Sequence, residues 1–162
     1  MQRVLTFVYR RFDGSVPTPG EVDSRSQGLL ERAEEMLGIM DGLLYCCRFK
    51  EAIKSAMSLA QETNRYLEDK SPWKMIKQDR QEAATALYIA LCVISYLKTM
   101  LYPFLPFSSE KLHRLLGFDG NMEDCGWQPM APKPGQKLLP PEPLFVKLDE
   151  GLVAEETARL GH

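Results

Sequence analysis

One tryptophan among lysines is the group of residues in this sequence with the clearest chemical meaning. Trp73 follows Pro72, at the end of a charged run of helical character. Three lysines surround it with no acidic residue among them: Lys70, Lys74 and Lys77. Such a group is suited to stacking an unpaired nucleobase while the ammonium groups neutralise phosphate. A tryptophan folded back over the core, its rim covered by lysine stems, is an equally open interpretation.

The N-terminal segment carries a second polar group with helical spacing. At about 100° per residue, Arg3, Thr6 and Arg10 lie within a narrow arc on one side of a helix. The opposite side is apolar and forms the predicted core face: Leu5, Val8 and Phe12. Two guanidinium groups and a hydroxyl on one face could hydrogen-bond base edges or phosphates. A solvated polar face without a binding role is the alternative.

Catalytic and metal-binding patterns are absent from the sequence. It has no Gly-rich phosphate loop, HExxH, GxSxG or paired-carboxylate motif. The four cysteines include no CxxC pair, so we predict reduced thiols and no metal site. His113, on a short helix beside Arg114, is predicted to be an exposed surface residue. No catalytic residue is predicted.

Length and charge predict one globular domain outside the membrane. A chain of 162 residues buries roughly two-thirds of its unfolded surface. Its net charge of -2 favours no DNA partner and requires a local patch for any RNA contact. The N-terminus lacks the layout of a signal peptide, which predicts a cytoplasmic protein. It also begins in mid-helix, as if cut from something longer. The uncharged run over residues 83–97 is shorter than the ~20 residues that span a bilayer, so it predicts a buried helix.

Helical periodicity predicts an all-α fold, a bundle of about five helices with a Pro-rich C-terminal strap. Helices are predicted over residues 1–12, 24–40, 49–70 and 79–102, followed by a short helix that Ser108, Ser109 and Glu110 cap and that ends at Gly117. Pro72 is expected to stop the third helix or to restart it one turn later. Six of the eleven prolines lie in residues 129–143, which excludes regular helix there. Residues 1–149 are thus predicted as the domain, and 150–162 as an acidic end, loose or helical, or a linker stub.

Five motifs, in order along the chain, resemble those of one protein family. The segment "NRYLEDKSPWKMIK" is similar to the N-x-Y…PW…K signature in the anticodon-binding domain of methionyl-tRNA synthetases, a class I aminoacyl-tRNA synthetase family. Four other segments resemble that domain's first helix, next long helix, P-F-x-P segment and closing segment: "RVLTFVYRRFDGSVP", "RFKEAI", "LYPFLPFSSEKLHRLLG" and "PPEPLFVKLD". A single motif such as PW is weak, whereas five in one order are specific.

The resemblance implies roles for individual residues. It implies that Trp73 stacks on the first anticodon base, a cytosine, and that Arg10 contacts the anticodon. Thr6 stands where many members carry an anticodon-contacting asparagine, and its hydroxyl offers one hydrogen bond in place of the two-edged amide pattern. Asn64 and Pro72 match structural positions of the motif. The surrounding cations are expected to contact the tRNA backbone: Arg3, Lys70, Lys74 and Lys77.

The resemblance also implies that these residues are the C-terminal helical domain of a longer enzyme. Neither a HIGH-type nor a KMSKS-type motif is present, so the expectation is a domain without chemistry of its own. Its expected partners are the CAU anticodon loop of tRNA(Met) and the catalytic domain of the same parent chain. That parent would charge tRNA(Met) with methionine in an ATP-dependent reaction. No cofactor is expected in this fragment; ATP and Mg, with Zn as a further candidate, belong to the catalytic domain.

Two other interpretations are open: a synthetase that is specific for a different amino acid, and a protein of a different functional class. One is the related helical bundle of a class I synthetase for leucine, isoleucine, valine or cysteine. The other is a helical protein-interaction module without an RNA role, in which Trp73 is a hot spot for a partner.

Overall fold

The structure, a computed structural model, describes residues 1–145 and 150–160. Within those residues the regular secondary structure is helical, apart from one isolated antiparallel bridge between Ser15 and Lys137, which confirms the predicted all-α class. The helices are α1 (Gln2–Arg11), α2 (Ser24–Tyr45), α3 (Phe49–Lys70), α4 (Pro72–Met75), α5 (Arg80–Leu101), α6 (Pro106–Leu115), α7 (Met122–Cys125) and α8 (Glu150–Leu160). The predicted boundary at residue 149 lies outside the described residues.

Helix α5 is the central element of the bundle, and α1, α2, α3, α4 and α6 all pack against it. Asp79 caps its start by accepting hydrogen bonds from the backbone N–H groups of Gln81 and Glu82. By length and hydropathy α5 could cross a membrane, but 83% of its apolar window is buried inside the protein. The predicted buried helix is therefore confirmed, and it continues past Lys98, which is itself buried.

Helices α2 and α3 form the longest antiparallel pair. The bounds of α3 agree with the prediction, whereas α2 extends to Tyr45, five residues beyond its predicted end at 40. The apolar residues Leu43 and Leu44 pack against the core and favour continued helix over the break expected from Gly42. The Tyr66 hydroxyl is buried against the Ser26 hydroxyl at 2.8 Å and joins the two helices.

A tight turn separates α3 from α4. Ser71 ends α3 in the left-handed conformation, with φ at 41°, and its hydroxyl donates to the Glu68 carbonyl at 2.6 Å. Pro72 is buried and opens α4 at the first helical position, where its missing N–H costs no hydrogen bond. Helix α3 thus ends before Pro72, which is one of the two predicted outcomes, and the new turn begins at Pro72 itself and not one turn later.

The Pro-rich segment is an ordered strap, as predicted, over its described part. Its backbone pairs with the loop after α1, through Leu138 N–H to Gly14 O at 2.8 Å and Val16 N–H to Gln136 O at 2.9 Å. Gly117 allows the strap to lie against the end of α6, because φ is 75° there and an added Cβ would lie 1.8 Å from the Lys137 carbonyl oxygen.

The C-terminal third differs from the sequence predictions in three places. Helix α6 begins at Pro106, so Ser108, Ser109 and Glu110 lie inside the helix and do not cap it. The single turn α7 was not predicted. His113 is fully buried, so the predicted exposed position is wrong: its Nδ1 lies 3.0 Å from Lys98 Nζ. A polar pair satisfied inside the core leaves no trace in local periodicity.

Candidate nucleic-acid interface

Trp73 lies half-buried on α4, packed against the core, and meets one side of α1. Its ring makes an edge contact with Phe7, with centroids 5.2 Å apart and planes at 90°. The Arg3 guanidinium lies over the Trp73 ring, 4.2 Å from the centroid. The tryptophan is therefore fixed by the backbone turn at Pro72 and by two side chains of α1. We call this junction of α1 with α4 the Trp73 surface.

The core holds α1 in place from behind. Its inner face buries Val4, Leu5 and Val8, which are 2% exposed or less. At its C-terminal end, the Arg80 guanidinium donates to the Arg11 carbonyl at 2.8 Å and lies 4.8 Å from the centroid of Phe12. That contact satisfies one of the carbonyls left free at a helix end and ties α1 to the start of α5. The outer face of α1 is thus presented on a fixed scaffold.

Of the predicted polar arc of α1, the structure brings Arg3 into contact with Trp73. Thr6 and Arg10 lie further along the same helix, and among the described residues no contact joins either of them to Trp73. Arg3 and Arg10 are exposed, and Thr6 is half-buried. Among the described residues the Arg10 guanidinium has no ion pair or hydrogen-bond partner. Arg10 therefore keeps its donors for a ligand, whereas Arg3 is engaged with Trp73.

The three lysines around Trp73 have different environments. Lys74 and Lys77 are exposed, and within residues 1–145 and 150–160 neither forms a salt bridge. Lys70 instead donates to Asp23 at 2.6 Å and to Glu82 at 3.4 Å, and its side chain is 19% exposed. These contacts join the end of α3 to the start of α2 and to the first turn of α5. Lys70 therefore braces the bundle, which its sequence position did not indicate.

The pKa values of the brace reflect these contacts. The hydrogen bond from Lys70 holds the pKa of Asp23 well below its ordinary value, with help from Ser26. The hydrogen bond to Asp23 in turn raises the pKa of Lys70. Both groups are partly exposed, so solvent screens most of the energy of the pair. The brace remains charged throughout the neutral range.

The remaining motif residues have separate places. Pro72 is buried under the Trp73 surface and determines where α4 begins. Asn64 is exposed on α3, two residues before the buried Tyr66. Of the N-x-Y motif, it is the tyrosine that packs in the core.

Sequence reasoning missed one residue of the Trp73 surface. Phe7 packs at right angles against Trp73. Beside that surface, the Arg11 guanidinium lies 5.9 Å from the Phe7 ring centroid and makes no contact with Trp73 among the described residues. The spacing of Arg3, Phe7 and Arg11 at four residues was the available signal, because residues four apart are neighbours on a helix surface.

The side chains of this surface can stack on a ring and bind negative charge. Among the described residues no group of three or more His, Cys, Asp or Glu side chains could hold a metal ion, and all four cysteines are free thiols. The Trp73 surface offers a half-buried indole and, on the two helices that form it, a hydroxyl together with guanidinium and ammonium groups that have no ion pair among the described residues. These groups suit an unpaired base with its flanking phosphates.

Comparisons with known proteins agree with this description. Residues 16–162 match the family model described as the anticodon binding domain of methionyl tRNA ligase. The methionine–tRNA ligase of Dehalococcoides mccartyi is 53% identical over 160 residues, covering 99% of this chain and 29% of that protein. The methionine–tRNA ligase of Chloroflexus aurantiacus is 41% identical over 186 residues, covering 99% of this chain and 31% of its own length. This chain therefore spans less than a third of the curated relatives that it matches.

Solved structures share the fold. Methionyl-tRNA synthetase of Mycobacterium tuberculosis bound by methionyl-adenylate superposes with a TM-score of 0.84 at 28% identity, over 90% of this chain and 30% of that one. Its apo form gives a TM-score of 0.83 at 26% identity, over 91% of this chain and 31% of that one. The family predicted from the five motifs is confirmed by the matched residues, by the relatives and by the fold. The chain belongs to the family of anticodon-binding domains of methionyl-tRNA ligases.

Proposed function

We propose that this domain binds the anticodon loop of tRNA(Met) and reads its CAU anticodon. The observation that carries the proposal is the half-buried Trp73 ring on a single-turn helix, next to cations of α1 and α4. A flipped-out anticodon base requires a flat, rigid surface, and a tryptophan fixed by a proline turn supplies one. Each stacked base contributes ~1–3 kcal/mol.

Base reading is assigned to the helix that faces the tryptophan. Arg10 has donors without a partner in the described part of the chain, and these can address a base edge or the anticodon backbone. Thr6, one turn earlier, offers a hydroxyl that can donate one hydrogen bond and accept another. We infer that cytosine is selected by stacking on Trp73 together with edge contacts from this helix.

Backbone contact is assigned to the cations at the rim. Lys74 and Lys77 are exposed and unpaired within the described part of the chain, so they can meet phosphates at little cost. Arg3 is included because it lies at the Trp73 ring. Lys70, predicted as a fourth contact, would first have to leave Asp23 and Glu82.

We further propose that the domain works within a methionine–tRNA ligase that charges tRNA(Met) in an ATP-dependent reaction. The support is that this chain covers 29–31% of proteins carrying that name. Reaction, nucleotide and metal would then belong to a catalytic domain of the same polypeptide, in the cytoplasm. The domain described here would supply recognition alone.

The test is fluorescence anisotropy with labelled anticodon stem-loops carrying CAU or UAU at low salt. The expected result is a preference for CAU that disappears in Trp73→Ala. A matched control is Phe107→Ala, since Phe107 is a 90% exposed aromatic residue on α6. Phe107→Ala should leave the preference unchanged. Equal weak binding of both loops, unaffected by Trp73→Ala, would contradict anticodon reading and leave phosphate contact only.

A separate apolar groove favours binding of a second protein domain in addition to RNA. It encloses about 630 Å³ and is lined by exposed side chains that include Ile53, Met57, Leu105 and Phe145. Exposed apolar clusters of this kind mark protein contacts. The predicted interaction with the catalytic domain of the parent chain would suit this groove. A protein-binding role is thus an addition to anticodon reading and not a replacement for it.

A further inference from the structure

We propose that Arg3 covers the stacking face of Trp73 in the RNA-free domain and that an incoming base displaces it, so that Arg3 links stacking to phosphate contact. This inference rests on the proposed function, because it describes how the same surface opens. In it Arg3 first covers Trp73 and then contacts the RNA backbone itself.

The first step is steric. The Arg3 guanidinium carbon lies 4.2 Å from the Trp73 ring centroid, which is direct contact between two flat groups. A nucleobase that stacks on that face needs the same space. Phe7 also packs against Trp73, with the two rings at right angles and their centroids 5.2 Å apart. The base and Arg3 therefore compete for one place.

The second step is energetic. Arg3 is exposed, and its contact with Trp73 is the one interaction found for its side chain among the described residues. A solvent-exposed cation–π contact is weaker than a base stacked on an aromatic ring. Displacement is therefore downhill once a base arrives. No carboxylate has to be left behind, in contrast to Lys70 with Asp23 and Glu82.

The third step is where the guanidinium goes. A base stacked on Trp73 brings its own phosphates to the rim of the ring, within reach of an arginine side chain anchored one helix away. The planar guanidinium can bind phosphate in a bidentate manner. Arg3 would thus exchange an indole face for a phosphate, and binding of the base would create the backbone contact.

The test begins with the RNA-free protein. The chain has two tryptophans, so Trp127→Phe isolates the fluorescence of Trp73. In that background Arg3→Gln should raise the acrylamide quenching constant of Trp73 about twofold, because the ring loses its cover. Arg11→Gln is the matched control: it removes the same charge from α1, but Arg11 lies over Phe7 and not over Trp73. Unchanged quenching in Arg3→Gln would overturn the proposal.

The second arm uses the CAU and UAU stem-loops over a range of salt concentrations. Displacement predicts that Arg3→Gln keeps the preference for CAU while the slope of log K against log salt falls by about 1. If Arg3→Gln loses the preference for CAU over UAU, displacement of Arg3 by the base is overturned, because the guanidinium would then stay stacked on Trp73 and take part in base recognition. If the proposed function fails, stem-loop binding will be insensitive to Trp73→Ala. That result would overturn displacement of Arg3 by a base. The quenching experiment would still show separately whether Arg3 covers Trp73 in the RNA-free protein.

Discussion

Two of the cations that lie over aromatic rings in this domain have completely different surroundings. Arg3 is 4.2 Å from the Trp73 centroid on the exposed face of α1, whereas Lys98 Nζ is 4.6 Å from the Phe118 centroid inside the core. Lys98 is 1% exposed and also contacts the buried His113. The same kind of contact is therefore open to replacement at the surface and locked by packing in the interior. Burial, and not the pair itself, decides which of the two can serve a ligand.

The buried pair has a defined hydrogen-bond direction. His113 Nε2 lies 3.2 Å from the Asp119 carbonyl oxygen, which can only accept, so Nε2 carries the proton and Nδ1 accepts from Lys98. Burial lowers the pKa of His113 and keeps the ring neutral, with further lowering from Lys98. Burial also lowers the pKa of Lys98 to about 8. The Lys98–His113 pair thus has a structural role, because each buried side chain supplies the hydrogen-bond partner of the other.

The largest expected effect comes from removing the buried acceptor. His113→Leu should lower the free energy of unfolding by about 3 kcal/mol at pH 7, because the Lys98 ammonium would be buried without an acceptor. Urea denaturation measures this. Arg114→Leu is the matched control on the same helix, since Arg114 is exposed and pairs with Glu110 at 3.6 Å. A similar small loss in both variants would contradict a structural role for the buried pair.

The second effect is a dependence of stability on pH. The unfolded chain keeps the proton of Lys98 up to about pH 10.5, whereas the folded chain releases it near pH 8. Between those values the unfolded state binds more protons, so raising the pH stabilises the fold, by on the order of 2 kcal/mol. Lys98→Met should remove this rise. The check is the difference in unfolding free energy between the two proteins at pH 7, 8, 9 and 10; a constant difference would contradict it.

The third effect separates the lysines near Trp73. Lys70→Met should cost up to about 1 kcal/mol of stability, because it breaks two partly exposed ion pairs, while Lys77→Met should cost almost nothing. In stem-loop binding the order reverses: Lys77→Met lowers the salt slope by about 1. Thermal unfolding and salt titration of both variants check this. A salt slope that falls equally in Lys70→Met would show that Lys70 leaves its brace for phosphate.

The smallest effect sharpens the opening comparison. Arg3→Gln should change the free energy of unfolding by less than about 0.5 kcal/mol, since an exposed cation–π contact contributes little to folding. Urea denaturation beside the His113 variant makes the contrast direct. A loss of stability comparable with that of His113→Leu would mean that Arg3 is part of the fold and not a replaceable cover.

Local patterns carried much of the fold. Periodicity predicted the bounds of α3, and proline chemistry predicted the end of that helix before Pro72 and the ordered strap. Both signals act over a few residues. The start of α6 was misplaced, since Pro106 at its first position outweighed the serines that follow. Of the candidate site, the face of α1 and the place of Trp73 were predictable. The contacts of Arg3 and Phe7 with Trp73 were not, because they join helices about 70 residues apart in sequence.

The sequence by itself determined the helices, their apolar faces, the family motifs and the residues from which a surface for RNA could be built. Those depend on spacing along the chain. Tertiary structure alone decided that Lys70 is a brace while Lys74 and Lys77 form no salt bridge within the described residues, that His113 is buried with Lys98, and that Arg3 covers Trp73. Each of these depends on which helices pack together. Whether a charged or aromatic side chain is available to a ligand is a property of its neighbours in space.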